Sequence, residues 1–158
     1  MKSSTIVLGL AAALGIAWVG AGTGWAQDAM AIIAKRQDVM KAQGKAFGAI
    51  KAFTEDKGDL AAAQAGGADL VKSVATIPGL FAEKTGMADY PGKSYAKPEV
   101  WADWAKFNEA VKAAAAKAEA LNTALKGGDK AAITAAFGAM GKDGCGGCHT
   151  PFREKKPS

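Results

Sequence analysis

Apolar residues recur at three- and four-residue intervals along most of this chain, and the alternating β-branched runs that mark strands are almost absent. A chain patterned this way can bury its apolar surface only by packing helix on helix. Gly, Pro and Asp divide the pattern into four segments. The first spans about 28–53, with Ile32/Ile33, Val39/Met40, Ala46/Phe47, Ile50 and Phe53 in a seven-residue repeat suited to a bundle seam. Asp59 is placed to cap the second, about 60–76, which Gly66-Gly67 weakens and Pro78-Gly79 closes. The third opens at Pro98-Glu99 and runs to about 126. Its stripe is Val100, Trp104, Phe107, Val111, Ala114, Ala118, Leu121 and Leu125, and Gly127-Gly128 ends it. Asp129 caps the fourth, which turns Ile133, Phe137 and Met140 inward and continues, with a break expected at Gly141–Gly144, to a cysteine motif. The fold class is therefore all-α, an up-down-up-down antiparallel four-helix bundle. Residues 77–97 form its one long loop, and a loop of about twenty residues in a small domain usually has a task.

The N-terminus stands apart from this pattern. A short positive start at Lys2 leads into an unbroken apolar and small run from Ile6 to Val19. Gly24-Trp25-Ala26 then ends in a small-x-small arrangement. This is the layout of a secretory signal peptide, residues 1–26, cleaved after Ala26. The run is shorter than the roughly 20 residues of a spanning helix, so no membrane insertion is expected once the leader is removed. The remaining domain, residues 27–158, is expected to be exported to the periplasm. Lys2 is the leader's only charge, so of the chain's 20 basic and 15 acidic residues the domain keeps 19 and 15. The lysines are dispersed rather than gathered in a patch, which gives no support to nucleic-acid binding. Mild positive charge suits steering toward an acidic redox partner.

The chemistry concentrates at Cys145-Gly146-Gly147-Cys148-His149. C-x-x-C-H is the signature of covalent c-type haem attachment. On a helix, positions i, i+3 and i+4 share a face. Two thiols there can add to the two vinyl groups on one porphyrin edge, and the adjacent imidazole then reaches the iron. Gly146 and Gly147 leave room for the ring edge to approach the backbone. A thioredoxin-like pair would need a βαβ context, which is lacking. Zinc would need a fourth ligand, yet these are the only two cysteines and the only histidine. A Cys145–Cys148 disulfide would close too small a loop to add much stability.

With this motif at the far end of a four-helix pattern, the chain resembles class II cytochrome c, the group of cytochrome c′ and low-spin cytochromes of the c-556 type. The likeness also rests on Arg36-Gln37-x-x-Met40-Lys41, Lys97-Pro98-Glu99-Val100-Trp101 and Phe152-Arg153. Pro151 departs from the family's pattern and is expected to end the last helix early. The resemblance implies one haem c bound through two thioethers, to Cys145 and Cys148, with His149 on the iron, and it allows a homodimer.

The second axial position is open to Met, to Lys, to a side chain that covers the iron without binding it, or to nothing. In an up-down-up-down bundle the start of the first helix lies beside the end of the fourth. Met40 is about twelve residues into the first helix, ~18 Å along it, and belongs to the inward stripe. A flexible core methionine is the alternative for Met40. The resemblance implies that Met at this place binds iron in low-spin members and merely covers an open site in others. Arg36, one turn earlier, is a candidate partner for a haem propionate, or else for Asp38 or another carboxylate. Phe81, Trp101 and Phe107 read as core or haem-packing residues. No catalytic acid–base pair or nucleophile is visible, so the expected role is not enzymatic. It is single-electron exchange with a periplasmic or membrane-bound redox protein. The alternative is a five-coordinate haem that binds nitric oxide or carbon monoxide.

Overall fold

The computed structural model describes residues 22–155, so the apolar leader run lies outside the described residues. Helix α1, Gly22–Thr54, starts upstream of the expected cleavage point. It is followed by α2 (Leu60–Ala75), a 3-10 turn (Ile77–Leu80), α3 (Glu99–Ala102), α4 (Trp104–Gly127) and α5 (Lys130–Ala139). A π-helical segment, Met140–Cys145, then joins α5 to α6, Gly146–Phe152. Helix α1 packs on α2, α2 on α4 and α4 on α5, while α5 returns to α1. This closes an antiparallel four-helix bundle. Among the described residues no helix is long and apolar enough to cross a membrane.

Local chemistry sets most boundaries. Asp59 Oδ1 accepts the Ala62 amide at 2.8 Å and Asp129 Oδ1 accepts that of Ala132 at 2.7 Å, satisfying first-turn donors that the helices leave open. Gly128 ends α4 at φ 75°, a left-handed conformation that glycine adopts without penalty. The third segment is not continuous from Pro98. Asp103, at φ −133° and ψ 67°, leaves helical geometry and caps a new helix by accepting the Lys106 amide at 3.0 Å. The short α3 that precedes it carries Trp101, whose indole N–H donates to Phe81 O across the long loop at 3.1 Å. The break also leaves Trp104, expected in the core stripe, 40% exposed.

Ile50, Leu70, Leu121, Leu125 and Ile133 are fully buried in the core where the four helices meet. Gly66 and Gly67 do not weaken α2; they let it approach its neighbours. A Cβ on Gly66 would lie 2.7 Å from Ala46 O on α1, and one on Gly67 would lie 2.5 Å from Leu125 Cδ1 on α4. Gly66→Ala therefore pushes two backbones apart and is expected to cost about 1–3 kcal/mol despite alanine's better helix propensity. Gly48→Ala, on the same bundle but with nothing within 4 Å of the new methyl, is expected to stabilise by up to ~1 kcal/mol. Chemical denaturation of the two variants checks the pair, and a neutral or stabilising Gly66→Ala contradicts the close-packing argument.

Candidate haem site

The π-helical segment decides which side chains of α6 face inward. Along α5, Ile133, Phe137 and Met140 form the inward stripe. Continued at ordinary spacing, that stripe would pass through Gly144, Cys148 and Pro151. One extra residue in the π turn shifts the register by about 100°, and the stripe resumes at Cys145, Cys148, His149 and Phe152. Gly144 is needed under this turn, because a Cβ there would sit 2.7 Å from Met140 Sδ. Pro151 does not end α6 early. The helix runs on to Phe152, with the Arg153 amide donating to His149 O at 3.1 Å.

Helix α6 packs on α4 and on the π segment, whereas no Cα of α1 comes within 8 Å of one of α6. A cavity of about 430 Å³ is lined from both sides. Cys145, Cys148 and His149 come from one side, and Arg36, Met40 and Gln43 from α1. Phe81, Phe107 and Phe152 add an aromatic lining, with Phe81–Phe107 centroids 4.7 Å apart and Phe107–Phe152 edge-on at 5.3 Å. All five residues singled out from the sequence thus share one cavity. The two thiols are free and half-buried, and burial pushes both up from the ordinary thiol range. Burial first, and then the charge of Arg153, pushes His149 down from the usual imidazole value. Its neutral form, the one that binds metal, is favoured.

Arg36 does not pair with Asp38. Asp38 is exposed and pairs with Lys41 at 3.1 Å. Arg36 is only 6% exposed and reaches the long loop instead. Nη1 donates to Leu80 O at 3.3 Å and Thr85 Oγ1 at 3.2 Å; Nη2 donates to Thr85 O and Ser94 Oγ, both at 2.9 Å. The guanidinium also lies 4.6 Å from the Phe81 ring centroid. With hydroxyls and carbonyls but no carboxylate around it, burial lowers its pKa to about 10. Gln37 adds a bond to Lys93 O at 2.6 Å, and Lys97 N donates to Phe152 O at 3.0 Å. The loop is therefore pinned between α1 and the C-terminal tail, as one wall of the cavity.

Gln43 was missed from the sequence. It interrupts the apolar pattern three residues after Met40, and a polar residue on the inward stripe is the signal that could have found it. Its Nε2 is buried with no hydrogen-bond partner, a state that costs about 1–3 kcal/mol if nothing pairs it.

The residues fit a large, flat, mostly apolar group carrying a metal and a few polar acceptors. The cavity is within the usual ligand range, and its aromatic lining faces two thiols and a neutral imidazole. Neither motif glycine is demanded by packing: a Cβ on Gly147 meets nothing within 4 Å, and one on Gly146 makes an ordinary 3.4 Å contact. The sequence profile of the family described as Cytochrome C′ matches residues 31–153. The chain belongs to the cytochrome c′ family. It is 34% identical over 139 residues to a cytochrome c′ of Rhodopseudomonas palustris, covering 85% of this chain and 90% of the relative. A cytochrome c-556 of the same organism is 30% identical over 129 residues, 79% and 84% of the two chains. The solved structure of cytochrome c′ from Rhodobacter spheriodes superposes with a TM-score of 0.73 at 30% identity, over 80% of this chain and 98% of that one. The cofactor of a cytochrome c′-type chain is one covalent haem c, and Cys145 and Cys148 fit its attachment.

Proposed function

We propose that this protein is a periplasmic electron carrier whose haem c is attached through Cys145 and Cys148 and bound on the iron by His149 and Met40. When bound, the haem iron supplies a one-electron ferric/ferrous couple. The observation that carries the reading is the placement of Met40 and His149 on two helices that border one cavity with their backbones held apart, no Cα pair within 8 Å. His149 is held by α6 and the π segment. Met40 is held by α1, whose neighbouring turns pack into the core through Ile33 and Ile50. Ligands fixed on rigid helices let the oxidation state change with little movement, and methionine coordination raises the potential. Phe81, Phe107 and Phe152 give the cavity an apolar, aromatic lining. Arg36 contributes a buried positive charge in its wall, with its terminal N–H groups already engaged by the loop. The same reading takes residues 1–26 as the export signal and a periplasmic or membrane-bound redox protein as the partner.

Oxidised protein is expected to show a sulfur-to-iron charge-transfer band that disappears in Met40→Ala. The visible spectrum of the two proteins checks this. An unchanged spectrum removes Met40 from the iron. A high-spin parent spectrum then favours the second reading, a five-coordinate haem that binds nitric oxide or carbon monoxide. The specific observation on that side is the unpartnered Gln43 amide in the cavity wall.

A further inference from the structure

Arg36, Met40, Gln43 and Phe47 follow one another at intervals of four, three and four residues, so they lie along a single stripe of α1. Each has a distinct environment. Arg36 is tied to the loop by four hydrogen bonds. Phe47 stacks on Phe137, with ring centroids 4.1 Å apart, and joins α1 to α5 just beyond the cavity. Between these closed ends are the thioether of Met40 and the amide of Gln43. Among the buried side-chain N and O atoms of the described residues, Gln43 Nε2 alone lacks a partner. No protein acceptor fixes the side chain, so it can turn toward whatever occupies the cavity.

An amide N–H in that position needs an acceptor. A bound haem presents few. Its pyrrole nitrogens are taken by the metal, so acceptors remain only at the propionates and on an exogenous ligand of the iron. Gln43 is seven residues beyond Arg36, ~10 Å along α1. Arg36 borders the loop and Gln43 the opposite, Phe47–Phe137 end of the stripe, only ~4.5 Å along the helix from Met40. We propose that Gln43 is a specificity-determining residue: its amide donates a hydrogen bond to a small diatomic ligand bound to iron on the α1 side of the haem. In an aromatic and aliphatic pocket this single donor favours ligands able to accept a hydrogen bond. The proposal rests on the haem reading and applies wherever the α1 side of the iron is free of Met40.

The test uses carbon monoxide on the ferrous, haem-loaded protein, reduced with dithionite. Met40→Ala opens the α1 side whether or not Met40 binds iron, so the comparison is Met40→Ala against Met40→Ala/Gln43→Leu. Leucine keeps the bulk and removes the amide. Loss of the donor is expected to move the C–O stretch to higher wavenumber and to speed carbon monoxide release about fivefold, the worth of one neutral hydrogen bond. In Met40→Ala the stretch is expected to shift on transfer to D₂O, and in the double variant it is not. That isotope response reports a direct N–H contact, which a purely structural role would leave unmoved. Should the double variant fail to fold, the D₂O response of Met40→Ala decides alone. An isotope-insensitive stretch overturns the proposal, as do equal stretches and release rates in the two proteins. A Met40→Ala spectrum identical to the parent would sink only the second-ligand reading, and the Gln43 comparison then holds in the parent itself.

Discussion

Inserting one alanine after Lys142 is expected to dismantle the haem site while leaving every cysteine and histidine in the chain. Lys142 is exposed within the π-helical segment Met140–Cys145. That segment already absorbs one residue beyond ordinary α spacing, and a second rotates everything after it by about 100°. Cys145, His149 and Phe152 then leave the inward stripe, and Gly144, Gly147 and Pro151 join Cys148 there. Phe152 is 5% exposed and closes the aromatic cluster against Phe107 at 5.3 Å. Withdrawing a buried phenylalanine costs about 3–5 kcal/mol, so the thermal midpoint should fall by roughly 10–20 °C. The C-x-x-C-H motif survives, so haem attachment is not the discriminating readout; midpoint and visible spectrum are. Lys142→Ala changes the side chain at the same place without altering the register and is expected to match the parent in both. An insertion variant with the parent's spectrum and midpoint would show that the register does not position the site.

What the sequence revealed and what it hid follow one physical division. Features governed by neighbours in the chain were readable. Asp59 and Asp129 cap the helices they precede, because a cap bonds an amide three residues on. The stripe Phe107, Val111, Ala114, Ala118, Leu121 and Leu125 is buried as its spacing demands. Cys145, Cys148 and His149 share a cavity because their spacing places them on one helical face. Features governed by distant partners were not readable. Gly66 and Gly67 look like helix weakeners until Ala46 O and Leu125 arrive beside them. Asp103 breaks the third segment where Trp101 is drawn to Phe81 O, twenty residues away in an aperiodic loop. A break was expected at Gly141–Gly144, but its π geometry was not readable, nor that it brings Met140 Sδ to 2.7 Å from where a Cβ of Gly144 would stand and the Phe47 ring to 3.3 Å from one of Gly141. Arg36 was expected to seek an anion. Its partners, 44 to 58 residues away, are loop carbonyls and hydroxyls that no periodicity announces.

Arg36→Leu is expected to release that loop. The guanidinium is the hub that Leu80 O, Thr85 O, Thr85 Oγ1 and Ser94 Oγ share. Leucine matches the aliphatic stem and leaves those acceptors facing an apolar group. Thr85 Oγ1 still donates to Ala82 O at 2.6 Å and Ser94 Oγ still accepts from Ala96 N at 3.3 Å, so the hydroxyls keep one partner each. The two carbonyls lose their charged donor. Hydrogen bonds to a charged group contribute about 1.5–3 kcal/mol each, and removal of the cation also relieves its own burial. A net loss of about 3–5 kcal/mol is expected, which lowers the thermal midpoint by roughly 10–20 °C. Arg36→Lys should rescue little, since a single ammonium on a flexible stem does not reproduce a planar fork that engages the 80, 85 and 94 backbone regions together. Hydrogen exchange of the haem-loaded protein separates this loop-anchoring role from general destabilisation. Amides of the pinned loop, Met87 N and Ser94 N among them, should exchange faster by a larger factor than those at the centre of α4. Uniform acceleration across the bundle, or none, would mean that the loop holds its place without Arg36. Because the loop forms one wall of the cavity, its release would also admit water beside His149 and Met40. Arg36 thus acts on the haem site through the chain's own carbonyls and hydroxyls, whether or not a propionate also draws on its charge.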